Sequence, residues 1–345
     1  MLRYSSQFSS IRSKTPGAPL LKVRYLYLYN MPLTMRKAFK IVLLLLVAGY
    51  AMLVAYAYWP SGVEEQPVAS LATAEDRFID VNGLRIRYRE FGQAAADRPD
   101  LVLLHGFGNS LQSFRLLAPL LQQEYHVITV DMPGFGLSSK PADYDYRAPS
   151  QARTIGDFIR ELGLERPVIG GHSLGGAIAL RVAINEPHVR GLVVMNPGII
   201  NTGVPAITQY LFFPLPRMMA KQFSDREFRE RFLRLSFVDE SVVTDEVMDN
   251  LMLAARSEGN MVGLTSMMGQ YEAASELSLL GELDKPSIIV WGAADKNKTP
   301  EELAALQSGL RDDTLVNVPG VGHYVHEEAP EAVAAGLVRA KERLL

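Results

Sequence analysis

The sequence predicts an α/β protein with a mostly parallel sheet and helices on both faces of that sheet. From Arg77 onward, short apolar runs alternate with stretches of helical periodicity. Most of these runs are rich in Val, Ile and Leu, as expected of strands that are buried on both faces. The composition, 345 residues of which 48% are hydrophobic and 21% charged, argues against a disordered or collagen-like chain.

The predicted sheet begins with a hairpin. Its strands, Arg77 to Asn82 and Leu84 to Phe91, flank Asn82-Gly83, a strong signal for a tight turn. Further strands are predicted at Leu101 to Leu104, His126 to Val130, Pro167 to Gly170, Gly191 to Met195, Ser287 to Trp291 and Thr314 to Val318. Helices are predicted between them, for example at Ser150 to Leu162 and Ala177 to Ile184.

One interval interrupts the alternation of strands and helices. About 90 residues without a convincing strand precede the strand at 287 to 291, and we interpret residues 198 to 285 as a helical insertion. Within it, Ser224-Asp225-Arg226-Glu227 matches a capping box and predicts that a helix starts there.

The insertion is rich in methionine. It holds seven of the 13 methionines, at positions 218, 219, 248, 252, 261, 267 and 268. Two interpretations stay open. These side chains form the core between the helices, or they line a flexible apolar lid over a pocket for an acyl or other greasy substrate.

The N-terminal part contains a candidate membrane segment. Residues 41 to 59 are 19 consecutive uncharged positions, and Arg36, Lys37 and Lys40 precede them. As a helix, this run would cross a hydrocarbon core of roughly 30 Å. The excess of positive charge predicts a single-pass protein with a cytoplasmic N-terminus and a catalytic domain outside the cytoplasm.

Other interpretations of this segment stay open. Ala55-Tyr56-Ala57 fits the cleavage site of a signal peptide, which would leave a secreted or periplasmic protein, although the apolar run is longer than usual for such a peptide. A buried core helix is the third interpretation. Residues 1 to 40 form a basic segment, and residues 60 to 76, rich in Pro, Ala, Ser and Glu, are predicted to be a linker.

Charge and residue usage exclude several partners. Residues 1 to 40 carry eight Lys or Arg and no acid, so a net charge of −3 leaves −11 on the remainder. This acidic body has no basic stripe, which argues against a nucleic-acid partner. The lack of cysteine excludes disulfides and thiolate metal sites. Neither a G-x-x-x-x-G-K-[ST] nor a G-x-G-x-x-G motif is present, so a nucleotide site is not favoured. Nothing in the sequence identifies a protein partner.

The strongest catalytic signal is a serine in a glycine-rich turn. Gly171-His172-Ser173-Leu174-Gly175 is a G-x-S-x-G motif that follows a predicted strand and precedes a predicted helix. Such a turn holds the serine in a strained conformation at a helix N-terminus, where developing negative charge is favoured. Ser173 is therefore the predicted nucleophile.

A serine nucleophile needs a base, and the base needs an orienting carboxylate. Of the six histidines, His323 is the preferred base because it follows the last predicted strand, and His326 is its competitor. Asp295 follows the strand that ends at Trp291, at the edge of the sheet where ligand sites of open α/β sheets gather, and is the predicted acid. Activity should fall when the base histidine becomes protonated.

The oxyanion of the reaction needs two preorganised donors. The backbone N–H of Leu174, directly after the nucleophile, is one candidate. The second is expected from the glycine-rich loop 105 to 108, most simply the N–H of Phe107. No metal or organic cofactor is required by this chemistry.

Together these motifs resemble the α/β-hydrolase superfamily over about residues 77 to 345. The residues that carry the resemblance are His105-Gly106-Phe107-Gly108, the run from Asp131 to Ser138, the turn around Ser173, Trp291-Gly292-Ala293-Ala294-Asp295 and Gly322-His323. The resemblance implies an eight-stranded sheet with a helical cap after the sixth strand. It would divide the chain into a core, 77 to 197 and 286 to 345, and a cap, 198 to 285. It also supports Phe107 and Leu174 as oxyanion donors.

The predicted activity is that of a serine hydrolase acting on carboxylic esters through an acyl-enzyme on Ser173. An anchor ahead of a capped hydrolase is similar to membrane-bound monoacylglycerol lipases and several bacterial lipases, which implies a small-molecule ester or lipid substrate. Haloalkane dehalogenases and epoxide hydrolases look similar elsewhere but carry aspartate at the nucleophile.

Three alternatives stay open. A C–C bond hydrolase would use the same triad and needs polar cap residues. An iminopeptidase-type peptidase needs an acidic cluster in the cap, which Asp239, Glu240, Asp245 and Glu246 would supply. A non-catalytic binding module is disfavoured because no member of the triad is missing.

Overall fold

The computed structural model describes residues 32–202, 212–270 and 275–345. Most of the predicted basic segment, and residues 203–211 and 271–274 of the predicted insertion, lie outside the described residues. The chain divides into two compact units, Met1–Tyr56 and Ala57–Leu345.

The first unit consists, in its described part, of most of one long helix, α1 (Leu33–Tyr58). This helix has 26 residues, and its most apolar stretch has a mean hydropathy of 2.4, enough by length and composition to cross a membrane. It begins eight residues before the predicted segment because the basic residues Arg36, Lys37 and Lys40 are good helix formers. A membrane anchor and an N-terminal signal sequence both fit these properties.

The second unit is built on one eight-stranded sheet with the order β1-β2-β4-β3-β5-β6-β7-β8. The strands are β1 (Arg77–Val81), β2 (Leu84–Phe91), β3 (Asp100–Leu104), β4 (His126–Val130), β5 (Val168–His172), β6 (Gly191–Met195), β7 (Ser287–Gly292) and β8 (Asp313–Val318). β1 and β2 pair antiparallel, β2 and β4 pair antiparallel, and all other pairs are parallel. The predicted mostly parallel sheet is confirmed.

The hairpin turn has the backbone that its sequence predicts. Asn82 and Gly83 have φ angles of 51° and 82°, and Val81 pairs with Leu84 across the turn. Positive φ at both central positions is the geometry of a type I′ turn, which matches the twist of antiparallel strands.

Helices cover both faces of the sheet because successive side chains of each buried strand point to opposite faces. In β3, Val102 and Leu104 join the core on one face, while Leu101 and Leu103 join the core on the other. The helices outside the insertion are α2 (Val68–Leu71), α3 (Leu117–Leu121), α4 (Ala148–Glu161), α5 (Leu174–Asn185), α10 (Pro300–Gly309), α11 (Val325–Glu328) and α12 (Pro330–Arg339).

The insertion between β6 and β7 is helical in its described part. It contains α6 (Leu215–Phe223), α7 (Arg226–Arg234), α8 (Asp245–Arg256) and α9 (Asn260–Gln270), and we call this part the cap. The capping-box prediction is wrong by one residue. Asp225 caps α7 by accepting from the N–H of Phe228 at 2.8 Å. Ser224 instead ends α6, where its hydroxyl donates to the carbonyl of Ala220 at 3.0 Å.

The methionines of the cap fall into two groups. Met248 and Met252 lie in a separate small core between the cap helices, together with Leu233 and Phe237. Met267, on α9, belongs to the main core of the unit. Both groups are therefore core methionines, and Met267 also lines the cavity described below.

The segment predicted to be a linker makes defined contacts with the cap. Gln66 forms a parallel β-bridge with Ser257, and its N–H donates to the carbonyl of Arg256 at 2.7 Å. The carboxylate of Glu65 accepts from the N–H groups of Gly259 and Met261, each at 2.9 Å. These bonds fix the chain that enters the unit against the start of α9.

Candidate active site

Ser173 lies between the end of β5 and the start of α5, with φ 51° and ψ −118°. A non-glycine residue in this conformation is strained, and such strain persists only where the surroundings enforce it. A Cβ atom on Gly175 would lie 2.2 Å from the carbonyl oxygen of Leu104, and one on Gly171 would lie 2.2 Å from the backbone of Gly175. The turn therefore requires glycine on both sides of the serine.

His323 and Asp295 come together at the same edge of the sheet. The Nδ1 atom of His323 lies 2.6 Å from Oδ2 of Asp295, and the Asp295 side chain is 1% exposed. Asp295 follows β7, and His323 lies in the loop between β8 and α11. The sequence left His326 as a competing base. His326 is fully buried, and within the described residues its ring nitrogens have no hydrogen-bond partner.

Hydrogen bonds keep the carboxylate of Asp295 ionised and able to accept a hydrogen bond from His323. Burial by itself would raise its pKa, but the hydrogen bonds from His323, the Asn297 N–H and Asn196 outweigh burial and lower the pKa below its ordinary value. The Asn297 N–H donates to Oδ1 at 2.8 Å. The carboxylate consequently stays ionised at neutral pH and fixes the Nδ1–H tautomer of His323.

Sequence reasoning missed Asn196, the residue that follows β6. Its side-chain amide donates to Oδ2 of Asp295 at 2.9 Å, and its Oδ1 accepts from the N–H of Gly292 at 2.7 Å. Asn196 thus ties the acid to the strand that carries it. Its position directly after a strand, at the carboxyl edge of the sheet, was the available signal.

His172, the residue before the serine, contacts the predicted base. Its Nε2 atom is 3.0 Å from the carbonyl oxygen of His323, and the two rings are 4.6 Å apart. Burial and the neighbouring histidines lower the pKa of His172 well below its ordinary value, so the ring is neutral and donates from Nε2. This bond positions the backbone of His323.

Ser173 Oγ makes no hydrogen bond to His323 within the described structure. Catalytic hydrogen bonds are often long or poorly aligned before substrate binds and tighten in the complex. The three predicted triad residues are therefore gathered on adjoining loops at one edge of the sheet, with the histidine–acid pair formed and the serine–histidine contact open.

The glycine-rich loop after β3 passes directly beside the serine. A Cβ atom on Gly106 would lie 3.3 Å from Cβ of Ser173 and 2.8 Å from Nδ1 of His172. Leu174 is the first residue of α5, and the first N–H groups of a helix have no partner inside it. Leu174 follows Ser173 directly, and Phe107 follows Gly106, whose backbone lies beside Ser173, so both predicted oxyanion donors belong to segments that adjoin the serine.

The aspartate in the run from Asp131 to Ser138 is structural. Its Oδ1 accepts from the N–H of Leu111 at 2.7 Å, and its Oδ2 accepts from the N–H of Leu137 at 2.8 Å and from the Arg87 guanidinium at 3.0 Å. Asp131 therefore closes the loop after β4 and ties it to the chain after β3.

A cavity opens next to Leu174. Its lining combines apolar and polar side chains and includes Phe135, Leu174, Ala177, Met267, Tyr146, Gln151, Gln270, Arg181 and Glu276. Arg181 and Glu276 pair with each other, Nε to Oε1, at 2.9 Å. The apolar part of the lining suits a hydrocarbon group beside the predicted nucleophile.

The acidic cluster proposed for a peptidase has local structural roles. Asp239 accepts from the N–H of Ser241 at 2.9 Å, and caps the short 3-10 helix Glu240–Val242. Asp245 lies in the first turn of α8 and pairs with Arg226 at 3.1 Å. Both carboxylates are explained by helix capping and a surface ion pair.

Comparison with known proteins agrees with this geometry. Residues 99–330 match the sequence model of the alpha/beta hydrolase fold family. The chain belongs to this family. The sheet order and the position of the cap agree with the predicted α/β-hydrolase fold, which is confirmed.

Three similar proteins show the range of activities in the family. An uncharacterized hydrolase, YugF, of Bacillus subtilis is 28% identical, over 76% of this chain and 96% of its own. Haloalkane dehalogenase 2 of Mycobacterium tuberculosis is 26% identical, over 80% of this chain and 98% of its own. The crystal structure of a membrane phospholipase A, a bacterial virulence factor, is 26% identical, covers 88% of this chain and 99% of its own, and has a TM-score of 0.62.

Proposed function

We propose that this α/β hydrolase cleaves carboxylic esters through an acyl-enzyme on Ser173. The observation that carries the proposal is the 2.6 Å pair of His323 and Asp295 on loops that adjoin the strained serine turn. A buried carboxylate paired with a histidine beside a serine of this geometry is the arrangement that general-base activation of a hydroxyl needs.

The proposed reaction has two steps. Nε2 of His323 takes the proton as Ser173 Oγ attacks the ester carbonyl, and the same proton then passes to the leaving alcohol. Water, deprotonated by His323, attacks the acyl-enzyme and releases the acid. Asp295 accepts from Nδ1–H throughout and stabilises the imidazolium, while Asn196 and the Asn297 N–H hold the carboxylate in place.

The N–H groups of Phe107 and Leu174 would hold the oxyanion of both tetrahedral intermediates. The N–H of Leu174 also stands at the N-terminus of α5, where the helix dipole favours negative charge. Each such donor contributes roughly 2.7 to 4 kcal/mol of transition-state stabilisation in comparable sites.

Serine at the nucleophile position supports acyl transfer over dehalogenation. The dehalogenase relative belongs to a group in which, by the resemblance drawn above, aspartate attacks and becomes an alkyl ester. The alkoxide of Ser173 would form an ether with an alkyl halide, and water does not hydrolyse an ether under mild conditions. Ser173 therefore favours substrates that give a hydrolysable acyl intermediate.

A lipid-like acyl ester is the substrate class that we favour. The cavity beside Leu174 has an apolar wall that includes Phe135, Ala177 and Met267, which would accept a hydrocarbon chain. Similarity to a membrane phospholipase A over nearly the whole of that structure points in the same direction.

Residues 57 to 59, where the chain enters the second unit, contact α6 of the cap. Nζ of Lys221 donates to the carbonyl of Trp59 at 3.1 Å, and Nε of Arg217 donates to the carbonyl of Ala57 at 3.2 Å. The guanidinium of Arg217 also lies 4.5 Å from the centre of the Tyr58 ring. If α1 is an uncleaved anchor with its N-terminus in the cytoplasm, the aromatic residues at its end would lie at the outer interface of the membrane.

The proposal is tested by hydrolysis of p-nitrophenyl esters from short to long acyl chains, using the full chain in detergent. Ser173→Ala is the test variant, and Ser308→Ala, an exposed serine on α10, is the matched control. We expect turnover in wild type and in the control, its loss in Ser173→Ala, and an optimum at medium or long chains. A folded wild type that hydrolyses no ester would refute the proposal and leave C–C or peptide substrates to be tested.

A further inference from the structure

Arg229 is a buried cation in the cap. Its side chain extends from α7, and the residue is 7% exposed. Among the ion pairs of the described residues, none includes Arg229. Burying a charge without a counter-charge is costly, so a buried arginine that lacks a carboxylate must satisfy its donors in another way.

The guanidinium donates to two backbone carbonyls. Nη1 donates to the carbonyl of Phe223, at the end of α6, at 3.2 Å. Nη2 donates to the carbonyl of Gly108, in the loop that follows β3. Burial lowers the pKa of Arg229 to about 10, which still leaves it charged at neutral pH. One donor group therefore joins the cap to the loop that passes beside Ser173.

The rest of the Arg229 environment is aromatic and aliphatic. The centre of the Phe223 ring lies 5.7 Å from the guanidinium carbon, and Leu233, Leu251 and Tyr324 line the same small cavity. Tyr324 is itself buried and stacks on Phe237 at 4.8 Å. In such apolar surroundings, charge-assisted hydrogen bonds to carbonyl groups are strong because water does not compete for the donors.

The loop needs an external contact at this point. Gly108 has φ 70°, a conformation in which glycine retains much freedom. Its carbonyl is separated by a single peptide unit from the N–H of Phe107, the proposed oxyanion donor. Rotation about the Gly108 backbone would redirect that N–H. The Phe107 ring already packs between Phe135 of the core, at 5.9 Å, and Phe223 of the cap, at 5.5 Å.

We propose that Arg229 is a positioning residue. Through it, the cap, when packed on the core, holds the loop after β3, which carries the proposed oxyanion donor Phe107, in its catalytic geometry. The inference rests on the proposed function of Phe107 as an oxyanion donor. It makes the cap part of the catalytic apparatus as well as the wall of the substrate site. Movement of α7 away from the core would withdraw the cation from Gly108 and release the loop.

The test compares Arg229→Met and Arg229→Lys in the full chain in detergent. Methionine keeps the unbranched length without charge or donors, while lysine keeps the charge but has no fork to reach two carbonyls. Arg226→Gln is the matched control, because Arg226 lies on the same helix and pairs at the surface with Asp245 and Asp249. Steady-state kinetics on a p-nitrophenyl ester and thermal unfolding are measured for each protein.

We expect Arg229→Met to lower kcat by about 10- to 100-fold, somewhat less than the 10²- to 10³-fold loss on removing an oxyanion donor outright. KM should stay within about threefold, because the loop acts on the transition state and not on the bound ester. Arg229→Lys should recover part of kcat, and Arg226→Gln should resemble wild type. A rise in KM at constant kcat would identify Arg229 as a substrate-binding group and overturn the inference, as would an unchanged kcat.

A second readout does not depend on ester turnover. Amide hydrogen exchange of residues 105 to 110 should accelerate in Arg229→Met, while exchange in β5 and β6 stays slow. Unchanged exchange in this loop would overturn the inference. Absence of ester hydrolysis by the wild-type protein would refute the proposed function only. The exchange measurement would still show whether Arg229 holds the loop. Should Arg229→Met fail to fold, the same exchange comparison on Arg229→Lys decides.

Discussion

The carboxyl edge of the sheet and the cap hold their functional groups in different ways. At the edge, backbone approaches backbone so closely that a single methyl group at Gly175 would lie 2.2 Å from the Leu104 carbonyl. In the cap, Met248 and Met252 fill space between helices with flexible side chains, and Gly269 has only ordinary contacts, at 3.8 Å, around its missing Cβ.

This difference separates two tasks. Positions of reacting atoms must be accurate to a fraction of an ångström, which rigid backbone contacts provide. A binding wall for apolar groups tolerates adjustment, which methionine provides. We therefore expect the core edge to determine the class of reaction and the cap to determine which substrates are used, with Arg229 as one point of contact between the two regions. The following predictions test that division, beginning with the largest effect.

The largest effect is expected at the acid of the core edge. Asp295→Asn removes the charge that stabilises the imidazolium and allows the wrong tautomer of His323. We expect kcat for a p-nitrophenyl ester to fall by about 10³- to 10⁴-fold with little change in thermal stability. An exposed carboxylate of the cap supplies the control, since Asp249→Asn should leave kcat unchanged. Retention of most activity in Asp295→Asn would mean that this carboxylate does not orient the base.

Glycine substitutions contrast the two regions directly. Gly175→Ala in the turn around Ser173 should lower the free energy of unfolding by on the order of 3 kcal/mol and abolish turnover, because the new methyl group would overlap rigid backbone. Gly269→Ala in α9 should be neutral or stabilise by up to about 1 kcal/mol, because alanine favours helix and its Cβ has room. Thermal unfolding of both variants measures the contrast, and equal responses would contradict it.

The core edge should also respond to acid. Burial lowers the pKa of His326 to about 3, from an ordinary value of 6.5. Between these two pH values His326 stays neutral in the folded protein but is protonated in the unfolded chain. The unfolded state then binds more protons, and stability falls as the pH drops from about 7 to about 5, by roughly 2 kcal/mol for this residue.

Unfolding at the two pH values tests this linkage. His326→Phe should reduce the loss of stability on acidification, because phenylalanine cannot be protonated and suits the contact with the Phe114 ring, which lies 4.9 Å from that of His326. A partly exposed histidine, His188, serves as the comparison, and His188→Gln should keep the wild-type loss. An identical loss in wild type and His326→Phe would show that His326 does not contribute.

The smallest expected effect is on substrate choice, in the cap. Met267→Ala enlarges the cavity beside Leu174. We expect kcat/KM to shift several-fold toward longer acyl chains, because the enlarged cavity would bury about one or two more methylene groups of the substrate. Met268 is the control, because it is buried but does not line that cavity. Met268→Ala should lower stability without changing the chain-length profile. Similar profiles for both variants would place the acyl chain elsewhere.

Much of the fold could be predicted because its signals are local. The strand from Gly191 to Met195 was predicted to the residue, since a continuous run of buried Val, Leu and Met between turns has few other interpretations. The capping-box prediction was wrong because Ser224 and Asp225 are neighbours that compete for the same role. Only the bond from Ser224 to Ala220, at the end of α6, leaves Asp225 as the cap of α7.

By itself, the sequence determined the sheet, the serine turn and the candidate triad, because strand periodicity, glycine requirements and motif order depend on residues that are close together in the sequence. Only the tertiary structure decided that Asn196 binds Asp295, that His172 binds the carbonyl of His323, that Glu65 and Gln66 bind the cap, and that Arg229 reaches Gly108. These contacts join residues that are far apart in sequence. Their geometry depends on how separate elements pack, and local propensity carries no information about that packing.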